Sequence, residues 1–482
     1  MSEIPPFAVE ICVVCLGIFL LMVDCFTKLD KRSIGLAAIV GLIVVLGLSF
    51  LAGPLPGNAL GSDFYVTDAP AFFFKRFILL STIFTICLAI DYAPVYEQFV
   101  PSGSRQAGLG EFFILPIFTC AGLLWMVSAA DLIMIFVSLE LVTVSFYVLV
   151  AIMRRNSGSL EAGVKYLILG ALSTGFIVYG ITWIFGATGQ TALSGIRQAL
   201  PMLPQGYLLA VLFGLGLVLV ALGFKIAAVP FQFWVPDVYQ GAPTPITAFL
   251  SVASKAAGFV VLLRILEPFY VISIIENKLL IALTALAALT LIYGNLAAMP
   301  QTNLKRLLGY SSIAHAGYLL IGVASFRGGP AGPAIAFYLA GYLLMTFLAF
   351  LVLQQVAKAS GSEEISDFNG LGTRSPVLAL GMLVSMLSLA GLPFTVGFLA
   401  KFLIFEAAMR SHQYVLVVIG AVTVACGFYY YLKVVRAMYW QPVPDGAPTI
   451  PVAGSTKFLI GFFCVGILFL GIFPQPLLAM LQ

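Results

Sequence analysis

The sequence is poor in charge. Lys, Arg, Asp and Glu together make up 9% of its 482 residues, and histidine occurs twice. An ordinary soluble protein is about 25% charged, so a soluble enzyme is excluded. A nucleic-acid binder is excluded too, because it needs basic patches to meet phosphate. A disordered chain does not fit either, since 61% of the residues are hydrophobic and the mean hydropathy is +1.08. The sequence has no Gly-rich dinucleotide fingerprint, no phosphate-binding loop and no multi-cysteine cluster set. Its seven cysteines are spread over apolar segments. Cys12 and Cys15 have CxxC spacing, but no second pair or nearby His completes a metal site. Nor is any polar stretch long enough for a soluble domain of ~50 residues.

What the chain has is apolar length. At ~20 residues per membrane helix, its hydrophobic content is enough for roughly fourteen spans. Runs separated by Gly, Pro and charge place them at 7–26, 33–52, 71–90, 111–128, 131–152, 161–186, 207–238, 243–266, 278–298, 303–324, 333–357, 376–410, 412–440 and 456–476. Met1 to Pro6 contain Glu3 and no basic residue, unlike a signal peptide, so the first span is expected to be retained. With the N-terminus outside, the cytoplasmic connections hold thirteen basic residues: Lys28, Lys31, Arg32, Arg105, Arg154, Arg155, Lys305, Arg306, Lys358, Arg374, Lys433, Arg436 and Lys457. The opposite side holds seven: Lys75, Arg76, Arg197, Arg264, Lys278, Arg327 and Arg410. By the positive-inside rule both termini are expected on the outer side.

Two spans are too long for a bilayer. Residues 207–238 and 376–410 would form helices of ~48 and ~52 Å against a hydrocarbon core of ~30 Å. Each contains a proline, Pro230 or Pro393, with a lysine near it, Lys225 or Lys401. Such a segment is either a kinked structural helix or a broken one lining a polar path, as in transporters. Lys225 and Lys401 are 176 residues apart, Glu140 and His315 175, and Lys255 and Lys433 178. That period matches five spans. The expected fold is therefore an all-α polytopic membrane protein of about fourteen helices with two inverted five-helix repeats. The expected segments are 1–110 (helices 1–3), 111–266 (first repeat), 278–440 (second repeat) and 441–482 (helix 14).

Glu140, Lys255, His315 and Lys401 each lie about nine or more residues inside their runs. A charge at the bilayer centre costs ~2.5–3.5 kcal/mol, so the three fully charged groups cost roughly 8–10 kcal/mol and need partners, water or neutralisation. Lys225 joins them because the Pro230 break extends its helix. Lys165 lies about one turn inside its span and could snorkel to the interface. Desolvation opposes the ammonium form and a nearby carboxylate favours it. A row of buried lysines with one glutamate is thus able to gain and lose protons near physiological pH. Alone, His315 reads as a satisfied core histidine; in this row it reads as a proton relay. Glu406 is either a partner of Lys401 or an interfacial residue.

Four stretches carry a family resemblance: LEAGVKYLILGALSTGFIVYG, FKIAAVPFQFWVPDVYQGAPTPITAFLSVASKAAGF, NLKRLLGYSSIAHAGY and SLAGLPFTVGFLAKF. Over roughly 110–440 the chain resembles the antiporter-like membrane subunits of proton-pumping NADH-quinone oxidoreductase (respiratory complex I), most closely the subunit N branch. In this resemblance the lysine at 401 fits the subunit N and L branches better than the M branch, and the chain's end near 482 without a long lateral helix argues against the L branch. The resemblance implies an ion pair between Glu140 and Lys165, a central proton path through Lys225, Lys255 and His315, and its end at Lys401. It implies no cofactor in this chain, with NADH, FMN, iron-sulfur clusters and quinone handled by partner subunits. The partners would be other membrane-arm subunits, including antiporter-like homologues, with lipids around them, in the inner (plasma) membrane of a bacterium. The chain departs from the family at Pro230-Phe231-Gln232, where a histidine often follows the Pro-Phe pair, and at Leu392-Pro393-Phe394, where a second proline is common. A subunit of a multisubunit cation/proton antiporter is the alternative, and a passive membrane scaffold a third reading.

Overall fold

A computed structural model describes residues 5, 7–27, 29–53, 63–99, 108–326, 331–447 and 449–480. Glu3, Lys28, Arg105 and Arg327, which entered the N-terminal and charge readings, lie outside the described residues. Among those residues the regular structure is helical, as a bilayer requires of a chain that must pair its own backbone groups. The helices are α1 (Ala8–Phe26), α2 (Lys31–Leu51), α3 (Ala69–Tyr96), α4 (Leu109–Ser128), α5 (Leu132–Val150), α6 (Ser157–Thr188) and α7 (Gln205–Ile226). Next come α8 (Trp234–Gly241), α9 (Thr244–Phe249), α10 (Lys255–Leu266), α11 (Ser273–Ala298), α12 (Leu304–Ala324) and α13 (Ala331–Ser360). Then follow α14 (Pro376–Ala390), α15 (Val396–Arg410), α16 (Tyr414–Trp440) and α17 (Gly454–Ile472), with short helical turns besides at Leu193–Ala199, Leu371–Arg374 and Gln475–Leu478. Short polar residues start several of them. Asp68, Asp131, Asn156 and Asn303 each accept hydrogen bonds from backbone N–H groups of the first turn, which satisfies donors the helix itself cannot reach.

Thirteen described helical stretches are long and apolar enough to cross a membrane. The fourteenth expected span, 376–410, is divided into α14 and α15. Both overlong spans are therefore broken. The first stops at Ile226, where Ala227 takes φ +67°, and helix resumes at Trp234. The second stops at Ala390, where Gly391 has φ +92° and Phe394 +69°, and resumes at Val396.

The chain forms two compact units, residues 1–226 with 241–279, and 227–240 with 280–482. In the first, α4 packs on α1, α2, α3, α5 and α10, while α6 packs on α5 and α7. The outward faces of α1, α2 and α6 are apolar, as lipid-facing surfaces are. Two isolated antiparallel bridges tie connections together at one end of this unit, Tyr65 with Ala129 and Asp131 with Ala192. In the second unit α12 is buried at nearly every position, and α13 packs on α12, α14, α15 and α17.

Candidate functional site

Lys225 lies in the last turn of α7 and is buried. Its ammonium donates to Thr143 Oγ1 at 3.2 Å and stands 6.0 Å from the Phe146 ring centroid. The helix ends one residue later, so the cation sits where the negative end of the helix dipole favours it. Lys255 begins α10 directly after a π-helical turn, Leu250–Ser254, a rare geometry that is frequent at functional sites. Gly258, three residues further on, shares the face of Lys255. A Cβ there would stand 2.9 Å from Ile226 Cγ2 and 3.5 Å from Lys225 Cγ. Its missing side chain lets α10 lie against the end of α7 and brings the two lysine-bearing surfaces together.

Glu140, on α5, is half-buried and accepts a hydrogen bond from Thr174 Oγ1 of α6 at 2.7 Å. Lys165 lies 2.7 Å from Glu161, one turn earlier on α6, and is 42% exposed. Because α6 starts at Ser157 rather than 161, Lys165 is about 12 Å inside the helix, deeper than its sequence position suggested.

In the second unit the break at 391–395 creates a site. The last carbonyls of α14 have no helical partner, and Lys401 supplies one. Its ammonium, carried by α15, reaches back to Leu389 O at 2.9 Å and Ala390 O at 2.8 Å, and lies 5.0 Å from the Tyr318 ring centroid. Gly391 makes the approach possible: a Cβ there would lie 3.2 Å from Lys401 Cδ. The two breaks are thus not copies. Lys225 precedes its break on the same helix, whereas Lys401 follows its break and folds back over it.

His315 is buried on α12. Its Nδ1 pairs with Tyr338 Oη at 2.6 Å and its Nε2 with Tyr431 Oη at 3.1 Å. Tyr431 continues to Ser311, and Ser312 receives Tyr342 at 3.0 Å and pairs with Tyr239 at 3.1 Å. Each of these hydroxyls can both donate and accept, so the set can pass a proton by reorienting. The sequence reading missed the tyrosines; Tyr338 and Tyr342, four residues apart on one helical face, were the only visible signal.

Three outer residues have partners that the sequence reading did not assign. Glu406 pairs with Arg410 at 2.6 Å on the surface. Lys433 donates to Gln301 O at 2.8 Å. Lys75, counted as a flanking charge, is buried against Glu10. Gln232, at the position where the family often has histidine, is also buried.

Two broken membrane helices, each with a buried lysine at the break, define the antiporter-like class of membrane subunit. Residues 129–427 match the family described as NADH:quinone oxidoreductase/Mrp antiporter, TM, and the chain belongs to that family. It is 38% identical over 479 residues to NADH-quinone oxidoreductase subunit N of Moorella thermoacetica, covering 99% of this chain and 97% of that protein. A chain in the structure of respiratory complex I from Thermus thermophilus with bound aureothin is 33% identical, with a TM-score of 0.81 and 98% of each chain covered. A chain of the Mrp complex from Dietzia sp. shares the fold at a TM-score of 0.81 with 20% identity, covering 98% of this chain and 95% of that one.

Proposed function

We propose that this chain carries protons across a bacterial inner membrane as a membrane-arm subunit of NADH-quinone oxidoreductase. The observation that carries the reading is the pair of broken helices with a buried ammonium at each break. A charge at such depth costs a passive span ~2.5–3.5 kcal/mol and serves it only as a cap, whereas a proton path needs a group there that can be charged. Glu140, Lys165, Lys225 and Lys255 in the first unit and His315 and Lys401 in the second are the proposed carriers. Glu140 and Lys165 act as an ion pair that responds to the neighbouring subunits. Displacing the carboxylate changes the field along the lysine row and sends a proton from Lys225 toward Lys401. Each proton moved against 100 mV requires ~2.3 kcal/mol. NADH oxidation and quinone reduction in partner subunits, which hold the FMN and iron-sulfur clusters, supply that energy; this chain performs no redox step. We also propose the inverted repeats 111–266 and 278–440, flanked by 1–110 and 441–482, and both termini on the outer side.

The test is NADH-driven proton pumping in membrane vesicles carrying Lys225→Ala or Lys401→Ala. Loss of pumping in both supports the path, and unchanged pumping and NADH oxidation in both refutes it. A purified complex without NADH-oxidising subunits would instead identify a cation/proton antiporter.

A further inference from the structure

A second buried ionic cluster stands in the first three helices, outside the segment that matches the family. Glu10, in the first turn of α1, and Lys75, on α3, are 0% and 1% exposed with Nζ and Oε1 2.8 Å apart. The Tyr65 hydroxyl bridges them, donating to Glu10 Oε1 at 2.8 Å and accepting from Lys75 Nζ. Tyr65 is fixed by its neighbours: Val66 N donates to Ser128 O at 2.8 Å, and Ala130 N to Phe64 O at 2.9 Å. Glu10 Oε2 is buried without a hydrogen-bond partner among the described residues.

Stability alone does not account for this cluster. Apolar side chains often replace a buried ion pair without loss, and a buried carboxylate oxygen left unpaired is costly. Polar groups continue from the cluster in both directions. Toward the nearer end, Asp68 lies about 10 Å away along α3 and is held by Arg264 through bonds of 3.0 and 2.8 Å. Arg264, Ser194, Arg197 and Glu267 line a cavity of about 190 Å³ at that end. Toward the interior, Thr82 stands seven residues beyond Lys75 on the same face, and Ser81, Thr82 and Thr85 are all buried. Elsewhere along its length α3 packs on the π-helical turn that leads into Lys255. Burial, and then the charge of Glu10, push the Tyr65 phenol well above its ordinary range, so the bridge stays a neutral hydroxyl.

We propose that Glu10, Tyr65 and Lys75 form a further proton-relay site, joining the lysines of the first unit to the aqueous end beside Asp68 and Arg264. The inference rests on the lysine-row reading above. One cycle moves one proton. An N–H bond of Lys75 breaks as Tyr65 Oη takes that proton, while the original Tyr65 proton passes to Glu10 Oε1. The ion pair becomes an amine and a carboxylic acid. Lys75 then regains a proton from the hydroxyl-lined interior, and Glu10 releases one toward the cavity, which restores the ion pair.

The test uses the whole complex in proteoliposomes and compares protons moved per NADH oxidised in Tyr65→Phe, Glu10→Gln and Lys225→Ala. Tyr65→Phe removes one oxygen and leaves the ring and the ion pair, so assembly is retained. The expected result is a loss of pumping in Tyr65→Phe and Glu10→Gln equal to that in Lys225→Ala, and the same loss in Glu10→Leu/Lys75→Leu. If Lys225→Ala loses pumping while Tyr65→Phe keeps it, or if the double leucine variant pumps normally, the cluster is structural and the relay is wrong. If Lys225→Ala itself pumps normally, the lysine-row reading fails first.

Discussion

Lys401 offers the sharpest separation between holding a structure and carrying a proton. Its ammonium caps Leu389 O and Ala390 O at the end of α14. Hydrogen bonds to a charged group contribute about 1.5–3 kcal/mol each, so Lys401→Met removes about 3–6 kcal/mol. Removing a charge from membrane depth returns about 2.5–3.5 kcal/mol. The net cost therefore lies between about −0.5 and 3.5 kcal/mol, small enough for the complex to assemble. Lys401→Arg keeps a cation over the same carbonyls, but a guanidinium holds its proton at any physiological pH. Both variants are expected to assemble on native gels and to lose NADH-driven pumping in vesicles. If Lys401→Arg pumped at the unsubstituted rate, Lys401 would be an electrostatic cap and not a proton carrier.

Gly391→Ala forces a left-handed backbone on a residue with a Cβ and crowds Lys401; a destabilisation of about 1–2 kcal/mol is expected, read as a lower thermal midpoint of the purified complex. Gly258→Val drives α10 away from the end of α7, costing about 1–3 kcal/mol and lowering pumping more than Gly258→Ala in the same vesicle assay. Tyr338→Phe and Tyr431→Phe each remove one hydroxyl from a His315 nitrogen. Each is expected to slow pumping by about tenfold or more while leaving assembly intact, and normal rates in both would exclude His315 as a relay through these groups. Glu406→Gln breaks only a surface pair with Arg410; stability within about 0.5 kcal/mol and normal pumping are expected.

Hydrophobic length and proline position made most of the fold legible. Spans are set by local composition, and in an overlong run Pro230 or Pro393 marks where a kink or a break falls, because proline removes a backbone donor and clashes with the preceding turn; the structure shows that both runs break. The depth of Lys225, Lys255, His315 and Lys401 was legible for the same reason: distance along a helix converts directly to depth. Lys75 shows where that logic fails. It lies near a helix end, where a lysine normally reaches water, and only the approach of α1 puts Glu10 beside it. Glu406 shows the reverse, an acid five residues from Lys401 whose partner lies one turn further along its own helix.

By itself, then, the sequence determined where the long apolar runs lie, that two of them are too long for a single span and which ionisable groups lie well inside them, because each follows from short-range hydrophobicity and backbone geometry. The tertiary structure decided which atoms those groups meet: Lys401 on the carbonyls of the preceding half-helix, His315 between two tyrosines, Lys225 on Thr143, and Glu10 with Lys75. Those pairings join residues 11 to 116 positions apart. They depend on how helices pack side by side, which no local pattern encodes.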